Sequence, residues 1–225
     1  MAYTYESVVP WGRSFEEYVR MFNLSDADLR SRILGCADGP ASFNAKMAER
    51  GHRVISCDPL YQFTGEQIRT RIDETYDNII AQTHHNIEHF VWTTITSVDD
   101  LGRVRRKAMN DFLEDYEPGR SDGRYVAAEL PTLPFDEGTF DLALCSHFLF
   151  LYSPILSLEL HEKSITSMCA AAAEVRIFPL LTYDSNLSPY VQPVVDGLKK
   201  SGRRVSIERV PYEFQKGGNE MLRIS

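Results

Sequence analysis

The sequence predicts an α/β fold in which a mostly parallel sheet carries helices on both faces. Short apolar runs alternate with segments of helical periodicity along most of the chain, and this alternation is typical of parallel sheets. With 225 residues, of which 43% are hydrophobic and 25% charged, the chain can also bury one substantial core. We therefore expect a single domain over residues 1–225.

The first unit, residues 31–58, provides the most informative local pattern. Ile33 and Leu34 form a short apolar strand end. The turn that follows consists of small residues, which let the backbone approach a ligand closely, and it comprises Gly35, Cys36, Ala37, Asp38 and Gly39. A turn of this kind at the end of a parallel strand indicates a ligand site.

A helix and a second strand complete the first unit. Pro40 is expected in the first helical turn, where its missing N–H costs nothing, and Gly51 is expected to end the helix. Residues 53–57 predict a buried second strand, which leads to Asp58, nineteen residues beyond Gly39. Since an acid at this strand end accepts hydrogen bonds from ribose hydroxyls, the first unit predicts a nucleotide-type cofactor.

The remaining elements continue the alternation after an interruption. The expected strands cover residues 124–130, 140–146, 174–181, 205–210 and 221–224, and the expected helices cover residues 157–172 and 189–200. Pro179 places the end of the fifth strand at a loop or bulge, because proline cannot donate to a ladder. The last two strands are expected to form a terminal pair.

Residues 61–123 predict a helical insertion within the domain. Apolar residues recur at helical spacing over residues 68–90 and again over residues 101–116, where the second helix is expected to end at Pro118-Gly119. A crossover between adjacent parallel strands needs only one helix. The extra helix is therefore expected to cap the carboxyl edge of the sheet or to form a partner surface, such as that of a homodimer.

The histidines of this insertion predict no metal site. His85 and His89 are four residues apart and share a helix face, as paired ligands would. At about 100° per residue, however, they point away from the apolar stripe of Ile72, Thr83 and Phe90, and so they face water. Because no third or fourth ligand is positioned by the sequence, we expect no metal.

Charge and hydropathy exclude two other classes of partner. A formal net charge of −8 argues against general nucleic-acid binding, which requires a positive surface. The basic clusters at residues 103–107 and 199–204 are expected to be solvated helix faces or ends. The longest apolar stretch, residues 142–160, is interrupted by a proline and a glutamate and predicts a strand and a helix start, so no membrane span is expected.

The cysteines and the amino terminus bear on the compartment. The amino terminus lacks the basic start and apolar run of a secretory signal, so a cytoplasmic location is expected. The four cysteines have no metal-ligand spacing and are expected to be small buried residues in a reducing environment, at Cys36, Cys57, Cys145 and Cys169.

A second block of residues gives the chain a family resemblance. Glu129 lies at the end of the third strand, a Leu-Pro-Phe turn follows at residues 133–135, and Phe140 and Asp141 begin the fourth strand. In this order, the first unit and residues 124–225 resemble class I S-adenosylmethionine-dependent methyltransferases. The resemblance implies a Rossmann-like three-layer sandwich whose seven-stranded sheet has the order 3-2-1-4-5-7-6 and an antiparallel last strand.

The resemblance also implies which residues contact S-adenosylmethionine. Asp58 would hold the ribose, Glu129 would lie near the adenine amino group, and Leu130 would contact the adenine ring. The turn of the first unit would border the methionine part, and the end of the fourth strand would face the reacting methyl group. The full set of expected contacts is Arg13, Gly35, Cys36, Ala37, Asp38, Gly39, Asp58, Pro59, Glu129, Leu130, Cys145 and Ser146.

Two residues depart from the family pattern. Ile33 stands where many members have an acid, which removes one polar contact to the cofactor. Ala37 stands where many members have glycine, and it is small enough to keep the turn. Asp38 and Arg13 are candidates to compensate, Asp38 toward the amino group of the cofactor and Arg13 toward its carboxylate.

The expected reaction is methyl transfer to a small-molecule acceptor by in-line displacement, which depends on orientation and on exclusion of water. His147 is the candidate general base, because histidine titrates near neutral pH and ligands gather at this edge of a parallel sheet. A structural histidine hydrogen-bonded beneath the next helix is an equal alternative. Residues 1–30 predict a helical lid over the cofactor or, alternatively, helices packed on the sheet.

Two other functions remain open. A pseudoenzyme or regulatory subunit of the same fold would retain the cofactor and use residues 61–123 to bind a protein, and Ile33 favours this alternative. A nicotinamide dehydrogenase shares the first unit. It is disfavoured, because the Gly-x-Gly-x-x-Gly turn requires glycine at Ala37 and Pro40.

Overall fold

The computed structural model describes residues 9–225 as a seven-stranded sheet covered by helices. The strands are β1 (Ile33–Cys36), β2 (Val54–Cys57), β3 (Tyr125–Val126), β4 (Phe140–Ser146), β5 (Ala172–Phe178), β6 (Val205–Arg209) and β7 (Glu220–Ile224). The helices are α1 (Phe15–Met21), α2 (Asp26–Leu29), α3 (Phe43–Glu49), α4 (Gly65–His85), α5 (Val98–Ser121), α6 (Leu158–Ala171) and α7 (Val191–Lys200). Short 3-10 turns cover Pro59–Gln62, Ile87–His89 and Phe150–Tyr152.

The sheet confirms the predicted Rossmann-like topology. Its strand order is β3-β2-β1-β4-β5-β7-β6. Strands β1 to β5 pair in parallel, whereas β7 runs antiparallel to both β5 and β6. The class I methyltransferase fold that the resemblance implied is therefore the fold of this chain.

Both faces of the central strands are buried. Ile33 of β1 packs in a cluster with Phe15 and Phe43 from α1 and α3, whereas its neighbour Leu34 packs in the opposite cluster with Met168 from α6. This division follows from the period of two along a strand. It explains why these strands are almost continuously apolar in sequence. All four cysteines are buried and unbridged, as predicted.

The first strand extends further than the sequence indicated. Gly35 and Cys36 belong to β1 and not to the turn, and they pair with Ser56 and Cys57 of β2. The prediction that Pro40 lies in the first helical turn is wrong, because α3 begins only at Phe43. The loop between β1 and α3 is therefore residues 37–42.

The helix α5 takes the ordinary crossover position between β2 and β3, and α4 is the added element. It packs beside α3, while α4 packs on α5 through a cluster that includes Ile68, Phe112 and Tyr116. The predicted end of α5 at Pro118-Gly119 is wrong. Proline only removes an N–H, and the last turn continues until the Asp122 N–H bonds to the Pro118 carbonyl and Gly123 adopts a φ of 69°.

The helix α4 is shorter than predicted. It ends at His85 with Asn86 as its cap, so Phe90 is not part of its apolar stripe. Phe90 instead stacks on Phe214, with ring centroids 4.8 Å apart, and its backbone pairs with Gln215. Long-range aromatic packing with the carboxyl-terminal loop replaces the helical continuation.

Two strands are also shorter than predicted, both at the edge where the site lies. The strand β3 covers Tyr125–Val126 within the expected range of 124–130, and β5 ends at Phe178 immediately before Pro179. As an edge strand, β3 pairs only with the end of β2, and residues 128–130 leave the sheet to line a pocket.

The amino-terminal helices are part of the core. Phe15 and Tyr18 of α1 are buried against the sheet, and residues 9–13 run along the rim of the pocket described below. Residues 1–8 of the predicted lid lie outside the described residues. In residues 9–225, no helix combines the length and hydropathy that crossing a bilayer requires.

Candidate active site

The largest cavity opens at the carboxyl edge of β1, β2 and β4. Its volume of about 710 Å³ falls within the roughly 300–1,000 Å³ that is typical of small-molecule sites. The expected residues that line this larger cavity are Arg13, Ala37, Asp38, Gly39, Asp58, Pro59, Glu129, Leu130, Ser146 and His147. The first turns of α4 complete the wall with residues 67–74.

The loop after β1 is shaped by left-handed backbone. Ala37 and Gly39 have φ values of 54° and 52°, and the Ala37 N–H donates to the Cys57 carbonyl at 2.9 Å. Glycine tolerates this conformation, but alanine does not favour it. A Cβ atom at Gly35 would lie 1.8 Å from the Asp38 carboxylate, so glycine at this position makes room for an acid.

Asp38 lies beneath the loop, where both of its oxygens accept hydrogen bonds. The Tyr18 hydroxyl donates to Oδ1 at 2.8 Å and the Ser56 hydroxyl donates to Oδ2 at 2.6 Å. Burial raises the pKa of Asp38 to about 6, although both hydroxyls act in the opposite direction. At neutral pH the group is therefore mainly a buried carboxylate.

Asp58 ties the two strand ends together. Its Oδ2 accepts from the Gly39 N–H at 2.9 Å, and its Oδ1 accepts from the Leu60 N–H at 2.8 Å. Burial raises the pKa of Asp58 to about 6, with Asp38 and Glu129 adding to the effect against the two N–H donors. Each carboxylate oxygen retains a lone pair for a ligand hydroxyl.

The third strand contributes a polar and an apolar group to the same rim. Glu129 is exposed and Leu130 is buried, and both line the larger cavity. The structure does not bring Cys36 and Cys145 to this cavity. Both side chains have no exposed surface, and burial raises the pKa of the Cys145 thiol to about 12, so these two expected contacts lie in the core.

His147 follows β4 with a φ of 51°, in the left-handed region. Its N–H donates to the Phe178 carbonyl at 2.6 Å, and its Nδ1 lies 2.9 Å from the Ser146 hydroxyl. Burial and the guanidinium groups of Arg13 and Arg105 lower the pKa of His147 well below its usual value. The imidazole is therefore neutral at neutral pH and is able to accept a proton.

A smaller cavity of about 90 Å³ adjoins the larger one. Trp11, Arg13, His147 and Leu151 line both cavities, so His147 stands between them. The other aromatic walls of the smaller cavity are Phe90, Phe178, Tyr183, Tyr212 and Phe214.

A buried charge cluster supports the smaller cavity. Arg105 has no exposed surface and forms an ion pair through Nη1 with Oε2 of Glu17, whose Oε1 accepts from the Tyr212 hydroxyl at 2.7 Å. Arg13 donates through Nη1 to the Trp11 carbonyl. Within the described part of the chain, the buried Nε atoms of Arg13 and Arg105 have no hydrogen-bond partner.

The interpretation of residues 103–107 as a solvated basic face is wrong for Arg105. Its position on α5 is four residues after Leu101 and three before Ala108, within the apolar stripe of the helix. An arginine on such a stripe is the sequence signal that would have found it. Among residues 9–225, by comparison, no group of three or more His, Cys, Asp or Glu side chains could hold a metal ion.

Sequence comparison finds one extended likeness. No family model matches the chain. An uncharacterized protein of Methanocaldococcus jannaschii, MJ0045, is 33% identical over 212 residues, which cover 94% of this chain and 93% of the archaeal protein.

Three solved structures share the overall chain path. Magnesium protoporphyrin IX methyltransferase of Synechocystis PCC 6803, solved with S-adenosylmethionine bound, is 11% identical, with a TM-score of 0.48 and coverage of 93% of this chain and 76% of its own. A SAM-dependent methyltransferase of Aquifex aeolicus is 15% identical (TM-score 0.43, coverage 93% and 87%). An O-methyltransferase family protein of Burkholderia thailandensis is 12% identical (TM-score 0.49, coverage 93% and 55%). Likeness at this level carries no information on activity.

Proposed function

The chain belongs to the same family as the archaeal protein MJ0045, and we propose that it is an S-adenosylmethionine-dependent methyltransferase acting on a small molecule. One observation carries the proposal: a single cavity gathers the loop after β1, Asp58 and Glu129 at the carboxyl edge of the sheet. Ligands of open parallel sheets bind at this edge. The volume of about 710 Å³ leaves room for a cofactor with an acceptor beside it.

The residues around the larger cavity fit the cofactor chemically. Asp58 has lone pairs for the ribose hydroxyls, and Glu129 and Leu130 offer a polar and an apolar contact for adenine. The unpartnered Nε of Arg13 fits the cofactor carboxylate, and Asp38 is the carboxylate for its ammonium group. Asp38 thus substitutes for the acid that Ile33 replaces.

S-adenosylmethionine, when bound, supplies an electrophilic methyl group on a sulfonium, which an acceptor takes by in-line displacement. The chain orients the acceptor and excludes water, and these two effects account for much of the catalysis in such reactions. His147 lies between the two cavities as a neutral imidazole and receives a proton from an acceptor that must lose one. Ser146 holds Nδ1, which leaves Nε2 for this role.

A cofactor-binding protein without turnover is the second candidate. It is favoured by Ile33, which packs in the apolar cluster beneath the sheet and offers no contact to a ligand. The smaller cavity argues against it, since it provides a separate space beside His147. Transfer of labelled methyl from S-adenosylmethionine into a small-molecule extract distinguishes the two candidates.

Calorimetry tests the cofactor assignment. We expect S-adenosylmethionine and S-adenosylhomocysteine to bind with one site per chain, and we expect no binding of nicotinamide adenine dinucleotide. Binding of the dinucleotide alone would reassign the larger cavity to a dehydrogenase. No binding of either sulfur compound would overturn the proposal.

A further inference from the structure

We infer that the smaller cavity binds the acceptor and that the acceptor is a small monocarboxylate with a flat apolar body, anchored by Arg105. The inference rests on the proposed function and names the substrate class of that site. Four observations support it: the charge around the cavity, the unpartnered donors, the aromatic walls and the position of His147.

The smaller cavity has an excess of positive charge. Two guanidinium groups, those of Arg13 and Arg105, are present, and Glu17 is the carboxylate with which the buried cluster neutralises one of them. No acidic residue lines this cavity among residues 9–225. One positive charge therefore remains, and it favours a ligand with one negative charge.

Bound cofactor increases this excess. S-adenosylmethionine has an ammonium, a sulfonium and one carboxylate, so it contributes a further positive charge next to the cavity. A neutral or cationic acceptor would leave the site more positive, whereas an anionic acceptor offsets the added charge.

The donors point to a carboxylate as the anion. The Nε atom of Arg105 is buried, lies on a cavity-lining residue and has no partner within the described residues. A buried charged donor of this kind is costly unless an acceptor reaches it. A planar carboxylate matches the donor geometry of a guanidinium group better than other small anions do.

The walls define the rest of the acceptor. Trp11, Phe178, Tyr212 and Phe214 surround the space, and such rings favour a flat apolar partner. His147 lines both cavities, so a molecule anchored at Arg105 presents its other end toward His147 and the larger cavity. The acceptor group that receives the methyl is therefore remote from the anchoring carboxylate.

A pair of probes tests the anionic site on enzyme saturated with S-adenosylhomocysteine. Benzoate supplies the flat monocarboxylate, and benzamide has nearly the same shape without the charge. Calorimetry is expected to show at least tenfold tighter binding of benzoate, because a charge-assisted hydrogen bond to a buried guanidinium is lost in benzamide. Equal affinities would overturn the inference.

Two substitutions with opposite expected signs separate recognition from structural support. Arg105→Lys keeps a cation for Glu17 but removes the Nε donor, and it is expected to weaken benzoate binding about tenfold. Glu17→Gln removes the internal counter-charge and is expected to tighten benzoate binding several-fold. A merely structural role of the ion pair predicts weaker binding in both variants, and that outcome overturns the inference.

Controls keep the two proposals distinguishable. Arg103→Lys, at an exposed position on the same helix, is expected to leave both ligands unaffected. Each variant must retain S-adenosylhomocysteine binding, which reports the larger cavity. Absence of that binding in the native protein contradicts the proposed function, whereas its presence together with failure of the benzoate test contradicts only the acceptor class.

Discussion

The two cavities are constructed in different ways. The floor of the larger one comes from the first unit, in which Asp58 bonds to Gly39 across nineteen residues. The smaller one joins Glu17, Arg105 and Tyr212, and the Glu17 and Tyr212 partners are 195 residues apart. A motif confined to a short segment is visible in sequence, whereas a cluster assembled by packing is not.

The cavities also treat charge in opposite ways. Burial raises the pKa of Asp38 and Asp58 to about 6, so the larger cavity contains acids that are costly to ionise. Burial alone would also raise the pKa of Glu17, but its bonds to Arg105, with Arg13 and the Ser14 N–H, lower it to about 2. The larger cavity therefore suits a cationic ligand group, and the smaller one suits an anion.

The largest effect is expected from Glu17→Ala. The change leaves Arg105 buried without its counter-ion, and breaking one partner of a buried ion pair costs about 3–5 kcal/mol. Urea denaturation measures the loss in the free energy of unfolding. Glu16→Ala, at the exposed neighbouring position, serves as the control, and a loss below about 1 kcal/mol for Glu17→Ala would show that the cluster is unimportant to stability.

The sequence predicted the larger cavity because its determinants are local. The alternation of strands and helices, the small residues of the first unit and the acid at Asp58 were all present in one segment. The strand order followed from the family resemblance and is confirmed. The errors concern element ends, as at Pro118 and Phe90, where capping and long-range aromatic contacts decide.

The smaller cavity was missed for a physical reason. The side chain of Arg105 was assigned to water because its neighbours Arg103, Arg106 and Lys107 are basic. Burial of an arginine depends on a partner, and its partner Glu17 lies 88 positions away in the chain. Only the helical phase of Arg105, on the apolar stripe of α5, contained the information.

The second effect concerns the cofactor and the locally encoded cavity. Asp58→Ala removes the acceptor for two ribose hydroxyls and for two backbone N–H groups, so we expect about a hundredfold weaker binding of S-adenosylhomocysteine. Asp58→Asn keeps the shape and one oxygen and is expected to lose less. Calorimetry measures both, with exposed Glu137→Ala as the control. Unchanged affinity in Asp58→Ala would exclude Asp58 from the ligand site.

A third prediction concerns pH. The folded pKa of Asp38 is about 6, above its ordinary value of 3.8, so the folded state binds this proton more tightly than the unfolded state. Protein stability therefore decreases as the pH rises from about 4 to about 6. Between pH 5 and pH 7.5 this group alone removes about 1.4 kcal/mol from the free energy of unfolding.

Asp38→Asn tests this effect, because the amide does not titrate and keeps an oxygen for the Tyr18 hydroxyl. Urea unfolding at pH 5 and pH 7.5 is expected to show a smaller decrease in stability for the variant than for the native protein. Asp58 titrates in both proteins, so the difference between the two decreases reports Asp38. An equal decrease would mean that Asp38 is not buried as a carboxylate.

The smallest effect addresses the strained loop of the locally encoded cavity. Ala37 has a φ of 54°, which costs a residue with a Cβ atom about 1–2 kcal/mol, whereas glycine adopts it freely but loses about 0.5–1 kcal/mol more in conformational entropy. Ala37→Gly should therefore raise the free energy of unfolding by about 0.5 kcal/mol.

Ala48→Gly in α3 is the matched comparison, since helical backbone gives glycine no advantage and the change should cost about 1 kcal/mol. Opposite signs for the two variants in urea denaturation would locate the strain in the loop after β1. If Ala37→Gly also leaves S-adenosylhomocysteine affinity unchanged, alanine is a tolerated substitute for the family glycine. A loss of stability at both positions would instead mean that packing of the Ala37 methyl group outweighs the backbone strain.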